Sequence, residues 1–256
     1  MSPSLGDVSF FLKEGECLAV LGADGSGRTT LLSLLAGLMV RFYPGRLTGE
    51  CLVHGGCCVG RRPKSTGLSL EDPTAQFSGV AFTVFEEVAL AFGNGGMGRR
   101  GEAVHRLLTR VRAAHLADRN PFTLSGGEAR RVALAVLLAG APDLLLLDEP
   151  FGQLDPASRD EVKKLLRDLK AQGATLVVSG SDLGNVAGLA DRAVVLEAGG
   201  LVYDGPLAAL PEDGDPEGWG LTLPLVTRVA RVARTRGLFA GPLPLDIDAA
   251  EGGWRL

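Results

Sequence analysis

Two short stretches of the 256-residue chain carry residue types that can hold and activate a phosphate group. In the first, Gly22-Ala23-Asp24-Gly25-Ser26-Gly27-Arg28-Thr29-Thr30 follows the apolar run Cys17 to Leu21 and precedes a stretch rich in Leu, Ala and Gly, Thr29 to Val40, that reads as a helix. Between a strand and a helix, such glycines let the backbone wrap so that successive N–H groups face an anion, while the helix N-terminus adds its positive dipole end. The Thr29 hydroxyl stands where a Mg²⁺ ligand belongs. The pattern G-x-x-x-x-G-K-[ST] calls for lysine at 28, where this chain has Arg28. A planar guanidinium is bulkier than an ammonium and orients differently, so the exchange is not neutral. The second stretch is Leu144 to Leu147 followed by Asp148-Glu149, which puts carboxylates at the carboxyl end of a buried strand. Open α/β sheets bind ligands at that edge. Asp148 is expected to hold Mg²⁺ through water and Glu149 to polarise an attacking water. Taken singly, the loop also reads as a glycine-rich turn without a ligand and the acidic pair as a helix cap. Their pairing favours phosphoryl transfer.

The elements around these residues alternate. Cys17 to Leu21, Leu144 to Leu147 and Thr175 to Val178 are apolar runs of buried-strand type, and Ala193 to Leu196 with a Gly199-Gly200 turn completes a sheet. Helical patterns separate them: Phe82 to Leu116, interrupted at Gly93 to Gly98, then Glu128 to Gly140 and Ala157 to Gln172. This order predicts a parallel α/β sheet with right-handed crossovers. Short strand candidates at Gly49 to Gly55 and Ser65 to Leu70 form a more β-like insertion. A Pro- and Gly-rich stretch, Pro206 to Gly220, reads as a linker to a short helix at Pro224 to Arg236.

Composition excludes several classes. With 46% apolar and 22% charged residues the chain can bury the core of one large domain or two small ones, which rules out disorder, collagen and a disulfide-stapled scaffold. Glycine is in excess at 36 residues, and only five of the 26 cations are lysine. A net charge of −4 argues against a protein that holds nucleic acid by phosphate neutralisation, so no nucleic-acid partner is expected. Cys17, Cys51, Cys57 and Cys58 lack zinc spacing and read as buried reduced thiols, in keeping with the cytosol. No signal peptide or bilayer-length apolar run is present, so a membrane role requires a partner.

Leu124-Ser125-Gly126-Gly127-Glu128, with Pro121-Phe122 before it and Arg130-Arg131-Val132-Ala133 after it, resembles the signature motif of ABC-transporter ATPases. Pro142 to Pro156, reading PDLLLLDEPFGQLDP, is similar to that family's Walker B and D-loop, with Asp155 in the D-loop position. Order and spacing match from about Leu5 to Gly205. The resemblance implies a P-loop NTPase of the ABC-ATPase fold: a parallel-sheet core, an antiparallel β subdomain and a helical subdomain at about 79–124. It implies ATP and Mg²⁺ as ligands: residues 22–30 hold the nucleotide, Thr29 and Asp148 hold the metal, and Glu149 is catalytic. Leu124 to Glu128 then act in trans on the γ-phosphate bound to a second subunit.

A finer resemblance is to the energy-coupling-factor branch, whose ATPases serve vitamin and transition-metal importers. Gly67 to Ser78, with Asp72-Pro73 and Gln76, looks like that branch's Q-loop segment, Val84 to Gly93 resembles the stretch after that loop, and Leu221 to Leu238 looks like its carboxy-terminal extension. This places an ATPase domain at 1–215 and the extension at 216–256. Three positions depart from the family: Arg28 for lysine, Glu71 for the Q-loop glutamine and Ser181 for the switch histidine, the last two being counted among the catalytic positions. The adenine-stacking aromatic lies before the first residue, as expected of a late start. The chain is therefore expected to be a subunit with an impaired site of its own, peripheral on the cytoplasmic face of the membrane. It would pair with a second ATPase and serve a transmembrane coupling subunit and a substrate-binding membrane protein. The alternatives are an ordinary ABC importer ATPase active at its own site, and a soluble ABC-like protein outside transport.

Overall fold

The computed structural model describes residues 5–39, 46–92 and 97–254, with side chains throughout except at 97–100. Val40, the expected end of the first helix, and Gly93 to Gly96 lie outside the described residues. The chain forms two compact units, Met1–Leu31 with Thr175–Leu256, and Leu32–Ala174.

In the first unit the run Cys17–Leu21 forms strand β1, and all five residues are fully buried. It pairs in parallel with β6 (Thr175–Gly180) on one edge and with β7 (Arg192–Glu197) on the other. Apolar runs without alternation suit this arrangement, because strands covered on both faces have no wet side to accommodate. A two-residue turn, Ala198-Gly199, with both residues at positive φ, then reverses the chain into β8 (Gly200–Pro206), antiparallel to β7. Such a turn matches the twist of the strands it joins.

The second unit holds a parallel pair, β4 (Thr66–Ser69) and β5 (Leu144–Leu147), in which Thr66 faces Leu144 and Ser69 faces Leu147. A separate hairpin joins β2 (Leu52–Val53) to β3 (Gly56–Cys57) through His54 and Gly55, again both at positive φ. Helix α1 (Arg28–Leu35) continues from the phosphate-type loop, and α2 (Val84–Ala91), α3 (Met97–Arg110), α4 (Gly126–Ala139) and α5 (Pro156–Ala171) follow. Three of these starts are written locally: Thr83 with Glu86 and Ser125 with Glu128 form capping boxes, and Asp155 caps α5 ahead of Pro156.

Pro206 to Gly220 is not the linker its proline and glycine content suggests. It contains a 3-10 turn (Leu207–Ala209) and α7 (Leu210–Asp213), after a short α6 (Leu183–Val186) earlier in the chain. Leu207 and Leu210 are buried, and α8 (Leu225–Thr235) clamps the segment, because Arg234 forks onto both carboxylate oxygens of Glu212 at 2.9 and 2.7 Å. Apolar anchors and a bidentate ion pair outweigh the flexible composition.

Leu146 is fully buried in β5. Leu146→Ala is expected to lower the unfolding free energy by about 2–5 kcal/mol through lost transfer energy and a cavity. A urea titration checks this, with a lower midpoint and an unchanged m value as the expected result.

Candidate functional site

The loop after β1 is held at both ends. Gly22 N–H donates to Gly180 O at 3.3 Å, and Gly199 N–H donates to Ser26 O at 3.1 Å, so the ends of β6 and the β7–β8 turn grip it. Gly25 (φ 79°) and Gly27 (φ 105°) take left-handed backbone that other residues adopt with strain, which is why glycine stands at these two places. Ala23 is half-buried and Asp24 exposed, whereas Ser26 is buried with its Oγ unpartnered among the described residues. At the first turn of α1, Thr29 is exposed and Thr30 half-buried. Arg28 is 8% exposed, and its Nη2 donates to Asp24 Oδ1 of the same loop at 3.0 Å.

At the end of β5, Asp148 is buried and its N–H donates to Ser69 O at 2.9 Å, which extends the pairing with β4. Glu149, the next residue, is half-buried and has φ 45°. A non-glycine residue held in that region stores strain of the kind that gathers at functional sites. Ser69 also accepts from Gln76 Nε2 at 3.3 Å, so the expected Q-loop segment returns to the strand it leaves. Within that segment Glu71 is exposed, and Asp72 caps the turn Pro73–Gln76. Hydrogen bonds from Thr74, side chain first and then backbone, hold the Asp72 carboxyl below its ordinary range.

Arg130 organises this region, a role that the sequence pattern alone does not reveal. It is 2% exposed, and its guanidinium donates to Leu70 O at 2.7 Å and to Glu71 O. Burial pulls its pKa down from the ordinary arginine value, while the charges of Asp72, Glu71, Asp148 and Glu149 oppose that shift. One signal does exist: helical spacing puts Arg130 on the face of α4 that carries the buried Ala133 and Leu134.

The residues expected to form the signature lie at the start of α4. Leu124 is half-buried, Ser125 and Gly126 are exposed, and Gly127 and Glu128 are half-buried. Ser125 N–H donates to Glu128 Oε2 at 2.9 Å, and Glu128 N–H donates to Ser125 Oγ at 3.4 Å. The backbone hydrogen bond from Ser125 is the main cause that lowers the Glu128 carboxyl below its ordinary value. Asp155 is exposed and accepts from Ser158 N–H at 3.1 Å.

Around Ser181 the structure adds a contact that the sequence does not announce. The segment after α7 runs beside it: Thr222 N–H donates to Ser181 O at 2.8 Å, Leu183 N–H donates to Thr222 O at 3.0 Å, and Asp182 and Thr222 form a parallel bridge. Two residues earlier, Gly220 (φ 71°) lies so close to the phosphate-type loop that an added Cβ would come within 2.9 Å of Ala23 Cβ. The segment Gly220 to Thr222 therefore touches the loop and Ser181 at once. No local pattern carries such a contact.

A glycine loop gripped between parallel strands, an acidic strand end and a capped helix opening on an exposed Ser-Gly are the parts of a P-loop nucleotide-binding protein of the α/β class. The family profile described as ABC transporter matches residues 5–152, and the chain belongs to this family. It is 37% identical to the cobalt import ATP-binding protein CbiO of Rhodobacter capsulatus, over 98% of this chain and 92% of that protein. It is 34% identical to the energy-coupling factor transporter ATP-binding protein EcfA1 of Bacillus licheniformis, over 92% of this chain and 84% of that protein. Its fold matches the solved structure of cbiO1 from Clostridium perfringens with a TM-score of 0.73 at 25% identity, covering 91% of this chain and 88% of that one. The chain spans about half the length of other curated relatives, 42% of one and 57% of another.

Arg130→Met removes the donor of two carbonyls and is expected to cost about 1–3 kcal/mol, with faster hydrogen exchange across Leu70 to Gln76. Arg130→Lys should recover only part of this, since an ammonium lacks the fork. Gly220→Val, at positive φ and against Ala23, is expected to cost about 1–3 kcal/mol and to accelerate exchange in residues 22–27. Thermal melts and exchange mass spectrometry check both.

Proposed function

We propose that the chain is the ATP-binding subunit of an energy-coupling-factor importer for a vitamin or transition-metal ion, acting chiefly by completing the nucleotide site of a second ATPase. The observation that carries this reading is the contrast between its two halves of a site. Ser125 and Gly126 are exposed at a helix N-terminus, ready to face an anion on another subunit, whereas Arg28 of its own loop is buried and bonded to Asp24. The resemblance of Asp155 to a D-loop residue adds to the trans-acting half.

In its own site residues 22–30 bind the phosphates of ATP. The donor set suits magnesium, which prefers hard oxygen ligands: the Thr29 hydroxyl and, through water, the Asp148 carboxylate. When bound, the ion neutralises charge on the phosphates. Glu149 orients water. Arg28, Glu71 and Ser181 impair this site: a guanidinium replaces the slim ammonium, a carboxylate adds negative charge, and a serine cannot reach or donate as an imidazole does.

The second ATPase docks on α8, where Leu225, Val229 and Val232 form an exposed stripe at helical spacing, beside the face that buries Ala230 and Ala233. A transmembrane coupling subunit meets the exposed Val80 and Phe82. The nearby Phe77 and Phe85 pack against Phe122 and His105. A separate membrane protein selects the substrate. Among the described residues no helix is long and apolar enough to cross a membrane, and the chain sits on the cytoplasmic face through its partners.

Glu149 favours a second reading, an ordinary importer ATPase active at its own site, because the carboxylate is retained at the acidic strand end. ATP hydrolysis by the purified chain, alone and with its partner ATPase, separates the two. The trans-acting reading predicts low activity alone and strong activity in the pair. It also predicts a loss of about 100-fold or more on Ser125→Arg, with little effect of Glu149→Gln. Strong activity of the isolated chain overturns it.

A further inference from the structure

The β2–β3 hairpin carries three of the four cysteines, and nucleotide chemistry uses none of them. Its register pairs Leu52 with Cys57 and Val53 with Gly56, so the next facing pair is Cys51 and Cys58. The Cys58 N–H donates to Cys51 O at 3.1 Å, which continues the ladder, and the Cys58 thiol donates to Cys51 Sγ at 2.7 Å. A hydrogen-bonded antiparallel pair holds its Cα atoms about 5.5 Å apart, inside the range of about 4.4–6.8 Å that a disulfide spans. Alternation sends Cys57 to the opposite face, where it is exposed rather than buried as expected, while Cys58 is fully buried and Cys51 half-buried.

We propose that Cys51 and Cys58 form a reversible intrachain disulfide, a redox-modification site on the β2–β3 hairpin, by exchange with a low-molecular-weight disulfide of the glutathione class. The half-buried Cys51, as thiolate, attacks one sulfur of the small disulfide, giving a mixed disulfide and releasing one thiolate. Cys58, as thiolate, then attacks the Cys51 sulfur, the S–S bond of the mixed disulfide breaks, and the second small thiolate leaves. Two protein thiols are oxidised, one small disulfide is reduced to two thiols, and the two protons pass to those products. In the reduced protein, burial first, then the hydrogen bond from Cys58 and the nearby Cys58 and Cys57 charges, push the Cys51 thiol up to about 12. The reduced pair is consequently slow to react near neutral pH and responds to sustained oxidant.

The staple has a target within the same unit. Arg61 N–H donates to Cys58 O at 3.3 Å, and Arg61 O lies so close to Gly37 that an added Cβ there would come within 1.9 Å of it. Gly37 follows the last turn of α1, so the bond fixes a hairpin whose exit strand rests on the end of that helix.

The test incubates the purified full chain with oxidised glutathione, counts free thiols and maps the linkage by peptide mass spectrometry without reduction. Titratable thiols should fall from four to two, with Cys51 and Cys58 in one linked pair that dithiothreitol releases. Cys57→Ser should leave the linkage intact, and Cys51→Ser should abolish it. Because Cys58 is buried and its replacement can impair folding, the wild-type linkage map and Cys51→Ser decide the matter. Four thiols remaining, glutathione adducts without an internal bond, or a linkage through Cys57 or Cys17 would each overturn the proposal.

Discussion

Strand β1 has no free edge. Five consecutive residues of zero exposure hydrogen-bond to β6 on one side and β7 on the other, so the point at which the chain leaves the sheet, after Leu21, is fixed from both flanks. Without that constraint the glycines after it would be a flexible turn, since glycine gains most from freedom and loses most when ordered. With it, Gly22 is tied to Gly180 and Ser26 to Gly199, and the loop between them is preset. Ser181 leaves β6 at the same edge of this unit, one residue after Gly180. Thr222 and Gly220 reach that edge from later in the chain, so the phosphate-type loop and Ser181 share one support.

Charge in this chain is balanced close to where it arises. Glu71 puts a carboxylate where the resemblance leads one to expect a neutral amide, and the buried Arg130 lies beside it, with the charges of Asp72, Glu71, Asp148 and Glu149 all favouring its protonated form. A buried guanidinium is costly without partners, and losing one partner of such a cluster is costlier than never having had the cluster. The same logic applies to Arg28, whose partner Asp24 stands one helical turn earlier in the same loop. Asp24 is fully exposed, so that pair contributes little to stability, and its consequence is where the guanidinium points.

Short-range chemistry determines what is legible in the sequence. Glycine spacing locates the loop after β1, the unbroken apolar runs locate β1, β5 and β6, and Ser125 with Glu128 marks a helix start within four residues. The features that escape depend on contacts between distant positions. Arg130 bonds carbonyls 60 and 59 residues earlier, Thr222 pairs with Ser181, and Gly220 meets Ala23. Pro206 to Gly220 departs from a linker for the same reason: its composition signals turns, but Arg231 bonds Pro211 O and Glu217, and Arg234 bonds Glu212, from a helix that comes later. The cysteines look unremarkable in the sequence because the pairing of Cys51 with Cys58 is a property of hairpin register.

The scarcity of lysine, first a compositional oddity, has a structural counterpart. Among the described residues, arginines donate to backbone carbonyls across loops: Arg62 to Thr66, Arg130 to Leu70 and Glu71, Arg159 to Leu154, Arg192 to Phe11, Arg231 to Pro211 and Arg234 to Gly241. Arg192 and Arg234 do so while also forking onto Asp204 and Glu212. A guanidinium can serve a carbonyl and a carboxylate at once because its five donors lie in a rigid plane and it sheds water more readily than an ammonium. In a chain with 36 glycines, many segments have weak local preferences, and such clamps hold irregular backbone that helix and sheet ladders leave unpaired. At position 28, where the resemblance leads one to expect a slim ammonium, the same planar group is turned onto Asp24 of its own loop. Arginine there shares the chain's general preference.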